Sequence, residues 1–94
     1  MKTLPSDVAP YRRTPEFTES TVPDALRRHH TTKAGVWARI QVLEGSLRYR
    51  ILEPTREEHV LTPERPGIVE PEVPHEVEPF GRVRFFVEFL RTAQ

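Results

Sequence analysis

The amino-acid sequence predicts a small all-β domain, a sandwich or barrel of short antiparallel strands. Segments of alternating apolar and polar residues recur at roughly eight- to twelve-residue spacings between proline and glycine turns, which is typical of such folds. Ten prolines are spread along the 94 residues, so no stretch favours a long helix. A chain of this length forms one domain, residues 1–94, and buries only roughly 60 to 65% of the surface that its unfolded state exposes.

An extended arm is predicted for residues 1–21, and the barrel for residues 22–91. The arm carries three prolines among polar residues. Since proline is tolerated at a sheet edge, we expect the arm to pair as an edge strand. Pro23 lies near the start of residues 22–28, where it favours a single helical turn because proline suits the first helical position.

Residues 35–52 carry the clearest strand pattern, with two alternating arms on either side of a turn at residues 44–46. We expect a β-hairpin, because the glycine in this turn supports a two-residue loop. The two arms share an aliphatic face formed by Val36, Ala38, Ile40, Val42, Leu47, Tyr49 and Ile51. The opposite face carries a stripe of Trp37, Leu43 and Leu52, which would suit a homodimer interface.

Four further strands are predicted at residues 59–61, 68–70, 76–78 and 83–90. The last of them is the most apolar. Its alternate residues are expected to cover the aliphatic face of the hairpin, and they are Val83, Phe85, Val87 and Phe89.

Composition excludes several classes of function. The formal net charge is +0 although 30% of the residues are charged, so the basic surplus of a nucleic-acid or anionic-membrane binder is missing. The absence of cysteine excludes a disulfide framework, a thiolate nucleophile and a cysteine metal site. No signal peptide and no bilayer-spanning segment is recognisable. We therefore expect a cytoplasmic protein with no nucleic-acid and no membrane partner.

Histidines are the candidate functional residues. The sequence has no phosphate-binding glycine loop, no nucleophile elbow and no zinc-protease motif, so we predict no catalytic residue. His29 and His30 precede the hairpin, and His75 follows it. Neutral imidazole is the commonest metal ligand, so paired histidines in one cavity would suit a metal or a proton-transfer site. The spacing by itself favours solvated or structurally hydrogen-bonded histidines.

Short motifs along the chain resemble a known family. Residues 43–45 (LEG) and 71–75 (PEVPH) are similar to the two halves of the cupin motif. A closer resemblance, covering residues 26–90, is to the TehB/YeaR-like family of small cupins. It is carried by residues 30–37 (HTTKAGVW), 42–45 (VLEG), 69–71 (VEP), His75 and residues 77–78 (VE).

The resemblance implies a cupin-type double-stranded β-helix, which is a jelly-roll barrel of antiparallel strands. It also implies a link to tellurite resistance or to nitrate- and nitrite-responsive stress. Longer members of the family carry a separate methyltransferase domain that this chain lacks, so methyl transfer is not expected of it.

A divalent metal ion, zinc, iron or nickel, is the cofactor that the resemblance implies, with His30 and His75 as ligands. The positions of the other first-motif cupin ligands fall at residues 31–34 and at Ala38, where no such ligand stands. Because zinc and iron sites normally have at least three protein ligands, we expect Glu70 to be the third, with Glu78 as the second candidate.

Three functions are therefore open at this stage. The preferred one is a small non-catalytic or weakly catalytic cupin that binds the metal and holds a small molecule or oxyanion in the barrel, with Lys33 as the anion-binding residue. The second is a metal-dependent cupin enzyme, an oxygenase or isomerase. The third is a metal-free dimeric interaction module.

Overall fold

Residues 1–93, which the computed structural model describes, form eight strands and one short 3-10 helix. The helix spans Asp24–Arg27, where the sequence predicts a single helical turn. The strands are β1 (Val8–Arg13), β2 (Phe17–Thr18), β3 (Trp37–Gly45), β4 (Leu47–Ile51), β5 (Glu57–Leu61), β6 (Gly67–Val69), β7 (His75–Glu78) and β8 (Val83–Thr92).

The strands build two antiparallel sheets that enclose the core. The first sheet has the order β1-β8-β3-β6, and β2 also pairs with β8. The second sheet has the order β5-β4-β7. The predicted all-β class, with short antiparallel strands in a small barrel-like fold, is confirmed. Within residues 1–93, no helix combines the length and the hydropathy that crossing a membrane requires.

The predicted hairpin of β3 and β4 is wrong. β3 pairs with β6 and β8, whereas β4 pairs with β5 and β7 in the other sheet. The chain changes sheets next to Gly45, which has a φ of 76°. Placing the two strands in opposite sheets buries the apolar face of each against the other, whereas a hairpin would leave their common face uncovered.

The predicted inward faces are largely correct, even though the pairing is not. β8 lies beside β3 and not across the core from it, so it extends the inner face of the first sheet. At its end the alternation slips, and Leu90 is buried where Phe89 had been expected. Val36 is only half-buried. The buried residues that were predicted are Ala38, Ile40, Val42, Leu47, Tyr49, Ile51, Val83, Phe85 and Val87.

Two strands of the N-terminal arm add to the first sheet. β1 lies at its edge and carries Pro10, a residue that edge strands accept. β2 brings the ring of Phe17 edge-on to that of Phe85, with 5.7 Å between the ring centroids. The predicted arm therefore pairs with the first sheet at residues 8–13 and 17–18.

The stripe proposed as a dimer surface is not one continuous face. Trp37 and Leu43 lie on β3 in the first sheet, while Leu52 follows β4 in the second. A homodimer remains a prediction, but this stripe no longer supports it.

Candidate functional site

His30 and His75 lie next to each other, although 45 positions separate them in the sequence. The backbone N–H of His30 donates to the carbonyl oxygen of His75 at 2.7 Å, and the N–H of His75 donates back to His30 at 2.9 Å. The two rings are perpendicular, with 5.4 Å between their centroids. This bridge brings the segment before β3 against the start of β7.

The surroundings of His75 favour one protonation state and one tautomer of its ring. Its side chain is buried, and its Nδ1 lies 3.0 Å from the carbonyl oxygen of Val73. A carbonyl oxygen can only accept, so Nδ1 carries the hydrogen. Burial lowers the pKa of His75 from its ordinary value of 6.5; the hydrogen bond to Val73 opposes this shift, and His30 adds to it. The neutral ring therefore presents Nε2 as an acceptor.

A cavity separates the two rings from the rest of the core. The volume in which the centre of a water molecule can lie is about 20 Å³. The polar residues that line the cavity are His30, His75 and Thr32. Space of roughly 10 to 15 Å³ on this measure is enough for one water. Among residues 1–93, no group hydrogen-bonds with the enclosed Nδ1 of His30.

Backbone strain flanks the histidine pair on both sides. His29 has a φ of 27° and Glu72 a φ of 63°, values that side-chain-bearing residues rarely adopt. Each such conformation costs roughly 1 to 3 kcal/mol and persists only where the surroundings enforce it. Thr32 contributes to this enforcement, because its Oγ1 accepts from the Glu72 N–H at 3.3 Å and donates to the Val36 carbonyl at 2.8 Å.

An open groove lies on the outer side of His30. It has a volume of about 220 Å³, and none of the residues that line it is acidic. Lys33 reaches it from a turn in which the Val36 N–H donates to the Lys33 carbonyl, with Gly35 at a φ of 76°. The residues lining the groove are Tyr11, Arg12, His30, Thr31, Thr32, Lys33, Val36 and Phe89.

Arg12 is the groove residue that sequence reasoning missed. It lies on β1, and its guanidinium carbon is 5.7 Å from the centre of the Phe89 ring. The pairing of β1 with β8 brings it there, and that pairing joins residues about eighty positions apart. Nothing local distinguishes this arginine from Arg13, so the register of β1 was the missing information.

The third ligand predicted for a metal is not in place. In the part of the chain that the structure describes, no group of three or more histidine, aspartate or glutamate side chains could hold a metal ion. The contact of Glu70 with this region runs through its backbone carbonyl, 3.5 Å from the Thr32 hydroxyl.

Glu78, the second candidate, points away from the histidines. Alternation along β7 places it on the outer face, where Arg50 donates to it at 2.6 Å and Arg48 at 3.3 Å. These two arginines lower the pKa of the Glu78 carboxyl. Ala38, where a cupin glutamate was absent from the sequence, is buried core. Two imidazoles without a third ligand make a poor metal site.

Comparison with known proteins identifies one family. The chain matches the model of the family described as the TehB-like domain over residues 12–87. Two relatives from different strains of Haemophilus influenzae are 35% and 33% identical over 72 residues, and both are named probable S-adenosyl-L-methionine-dependent methyltransferase TehB. The match covers 72% of this chain but 25% of each relative, so the chain spans about a quarter of their length.

Two solved structures share the fold. TehB from Haemophilus influenzae superposes with a TM-score of 0.83 and 28% sequence identity, over 93% of this chain and 32% of that one. A protein from Escherichia coli K12 superposes with a TM-score of 0.87 over the full length of both chains. Its identity is 20%, so this second likeness concerns the fold alone.

The comparisons correct the expected function. The expected resemblance to the TehB family is confirmed. That the fold is a cupin stays a prediction. A metal-binding cupin is wrong as the function, since the matched relatives are named methyltransferases that depend on S-adenosyl-L-methionine. The divalent metal is wrong as the cofactor for the same reason, and because the described residues offer no ligand set for it.

Proposed function

Because the chain belongs to the TehB-like domain family, we propose that it serves S-adenosyl-L-methionine-dependent methyl transfer as a small domain that binds the anionic methyl acceptor. The observation that carries the proposal is the groove, in which Arg12 and Lys33 meet no acidic side chain. The names of the relatives support the reaction type. Since this chain spans about a quarter of their length, their whole activity is not assigned to it.

In this proposal, S-adenosyl-L-methionine itself binds to a methyltransferase partner or domain. Pockets for ligands of its size measure roughly 300 to 1,000 Å³. The cavity at the histidines is far smaller, at about 20 Å³, and the groove is an open surface of about 220 Å³. The acceptor fits this groove because a small anion needs only a few donors.

Charge and donor geometry support anion binding in the groove. The guanidinium of Arg12 presents paired N–H donors suited to two oxygens of one anion, and the Lys33 ammonium adds a point charge. Both side chains are exposed, so each contributes about 0.2 to 1 kcal/mol. Binding is therefore weak and decreases with added salt.

The role of the domain follows from the chemistry of methyl transfer. A lone pair of the acceptor forms the bond to the methyl carbon as the bond from that carbon to sulfur breaks, and the sulfonium becomes a neutral thioether. Holding the acceptor beside the methyltransferase raises its local concentration without any catalytic group on this chain. Arg12 and Lys33 are binding residues in this proposal, and no residue is assigned as catalytic.

The test begins with titration of the isolated chain with tellurite and with selenite at low ionic strength, followed by amide chemical shifts. We expect shifts at residues 31–33 and around Arg12. The double substitution of Arg12→Ala and Lys33→Ala should weaken binding roughly 2- to 30-fold. Arg56→Ala, which removes an exposed cation outside the groove, is the control. Equal binding by the double variant would contradict the proposed site.

A second measurement addresses methyl transfer. The chain is added to a TehB-type methyltransferase that consumes S-adenosyl-L-methionine, with the oxyanion well below saturation. We expect a faster reaction with the wild-type chain and no increase with the double variant. Binding of S-adenosyl-L-methionine by the chain alone, or no effect on the rate, would overturn the proposed role.

A further inference from the structure

The cavity between His30 and His75 has no part in anion binding, and its chemistry points to a ligand of its own. The volume in which the centre of a water molecule can lie is about 20 Å³, and this is enough for one water. The residues that line it, apart from the two histidines and Thr32, are apolar. A polar molecule in this space can therefore bond only with these three side chains.

His75 supplies an acceptor to the cavity. Its Nδ1–H is committed to the Val73 carbonyl at 3.0 Å, so the lone pair of its neutral ring is on Nε2. Its side chain is 5% exposed and is one of the three polar side chains that line the cavity.

His30 supplies a donor. Its Nδ1 is enclosed and has no hydrogen-bond partner among the described residues. An orphaned buried N–H is rarer in proteins than an acceptor with an unused lone pair. The favoured tautomer of His30 therefore leaves Nδ1 bare and carries its hydrogen on Nε2.

Thr32 completes the set with a second acceptor. Its hydroxyl hydrogen is directed at the Val36 carbonyl at 2.8 Å, and one lone pair receives the Glu72 N–H at 3.3 Å. A hydroxyl oxygen has two lone pairs, so one is left for the cavity. The three side chains together offer one donor and two acceptors, the complement of a water molecule that accepts once and donates twice.

We infer that the cavity binds a single structural water, which accepts from His30 Nε2–H and donates to His75 Nε2 and to Thr32 Oγ1. Three hydrogen bonds are typical of a buried water. The water joins the two rings into one chain of hydrogen bonds, from His30 through His75 to the Val73 carbonyl. This inference stands apart from anion binding, since it concerns the inner side of His30.

The first test uses the unmodified chain. Ring-nitrogen NMR should find His75 as the Nδ1–H tautomer and His30 as the Nε2–H tautomer, while the exposed His29 exchanges between both. A high-resolution crystal structure should show one peak at roughly 2.7 to 3.2 Å from both imidazoles. An empty cavity, the opposite tautomers, or an anomalous peak at about 2.0 to 2.1 Å from both rings would overturn the inference, because the last is a zinc distance.

The second test fills the cavity without changing a histidine. Ala38 lines the cavity and is 2% exposed, so Ala38→Val removes space for the water. If the water is present, its expulsion should lower the melting temperature and abolish the single tautomer of His30. Val77→Ile, at another lining position, is the companion variant. A higher melting temperature with unchanged tautomers in both variants would show that the space is empty.

Discussion

The side-chain oxygen of Thr32 accepts a hydrogen bond from the backbone N–H of Glu72 at 3.3 Å, across 40 positions of sequence. The hydroxyl group of Thr32 also donates to the Val36 carbonyl at 2.8 Å. Thr32 thus joins the segment that carries Lys33 to the segment that leads into His75. It lies in the wall of both the cavity and the groove.

Thr32→Val should lower the free energy of unfolding by about 1 to 3 kcal/mol. Valine keeps the shape of the side chain but leaves the Val36 carbonyl and the Glu72 N–H without their partner. Urea denaturation measures the change. Thr31→Val is the matched control at an exposed neighbouring position, where a change within about 0.5 kcal/mol is expected. Equal effects of the two substitutions would mean that Thr32 does not join the segments.

Glu72→Gly should stabilise the protein by up to about 1 kcal/mol. The residue is exposed and has a φ of 63°, a conformation that glycine adopts without strain. The midpoint of urea denaturation measures the gain. Glu64→Gly, at an exposed position outside the positive-φ region, should destabilise because glycine adds freedom to the unfolded chain. A loss of stability at both sites would contradict the strain at Glu72.

Gly45→Ala should destabilise the protein by more than about 1 kcal/mol, and by more than Gly35→Ala does. Both glycines have a φ of 76°, so both substitutions introduce backbone strain. A Cβ at Gly45 would also overlap the carbonyl oxygen of Arg82, whereas one at Gly35 would meet nothing within 4 Å. The difference between the two variants in thermal unfolding therefore measures the overlap alone. Identical losses would show that the backbone of residues 45 and 82 moves apart.

Stability should fall as the pH decreases from 7 to below 6.5, because of His75. Burial lowers the pKa of the folded-state ring below its ordinary value of 6.5. Between the folded and unfolded pKa values the unfolded chain binds more protons, so the free energy of unfolding rises with pH in this window. Above the window, the contribution of His75 to stability has its full value. Urea denaturation at a series of pH values measures the slope.

His75→Gln provides the control for this pH dependence, because glutamine does not titrate. The variant should lose the slope just below pH 6.5 while keeping the loss of stability at lower pH. That second loss belongs to carboxyls with lowered pKa values, including Glu57 and Glu78. An unchanged slope in the variant would assign the effect to another histidine.

The inward faces of the strands could be predicted from sequence, but which strands pair with each other could not. Alternation alone identifies Ala38, Ile40 and Val42 as buried, because side-chain direction depends only on the period of two. Whether β3 pairs with β4 or faces it across the core depends on the rest of the chain. The two-residue turn pattern at Gly45 was compatible with both, and the need to cover two apolar faces decided the outcome.

The same limit applies to the candidate site. Residues 71–75 and the stretch after His30 are distinctive locally, and the structure brings them together. Arg12 was invisible because its place in the groove depends on a long-range register. The metal was predicted from a family pattern that needs a third ligand, and residues 1–93 do not bring a third ligand to the two histidines.

The central place of β8 in the first sheet has a consequence for folding during synthesis. β8 is the partner of β1, β2 and β3, and its last residue, Thr92, lies opposite Val8. The first sheet therefore cannot be completed until β8 has been synthesised and has left the ribosome. Folds that depend on such distant pairings form in milliseconds to seconds, roughly, and not in microseconds. The nascent chain should therefore stay sensitive to protease until β8 emerges, and become resistant in one step.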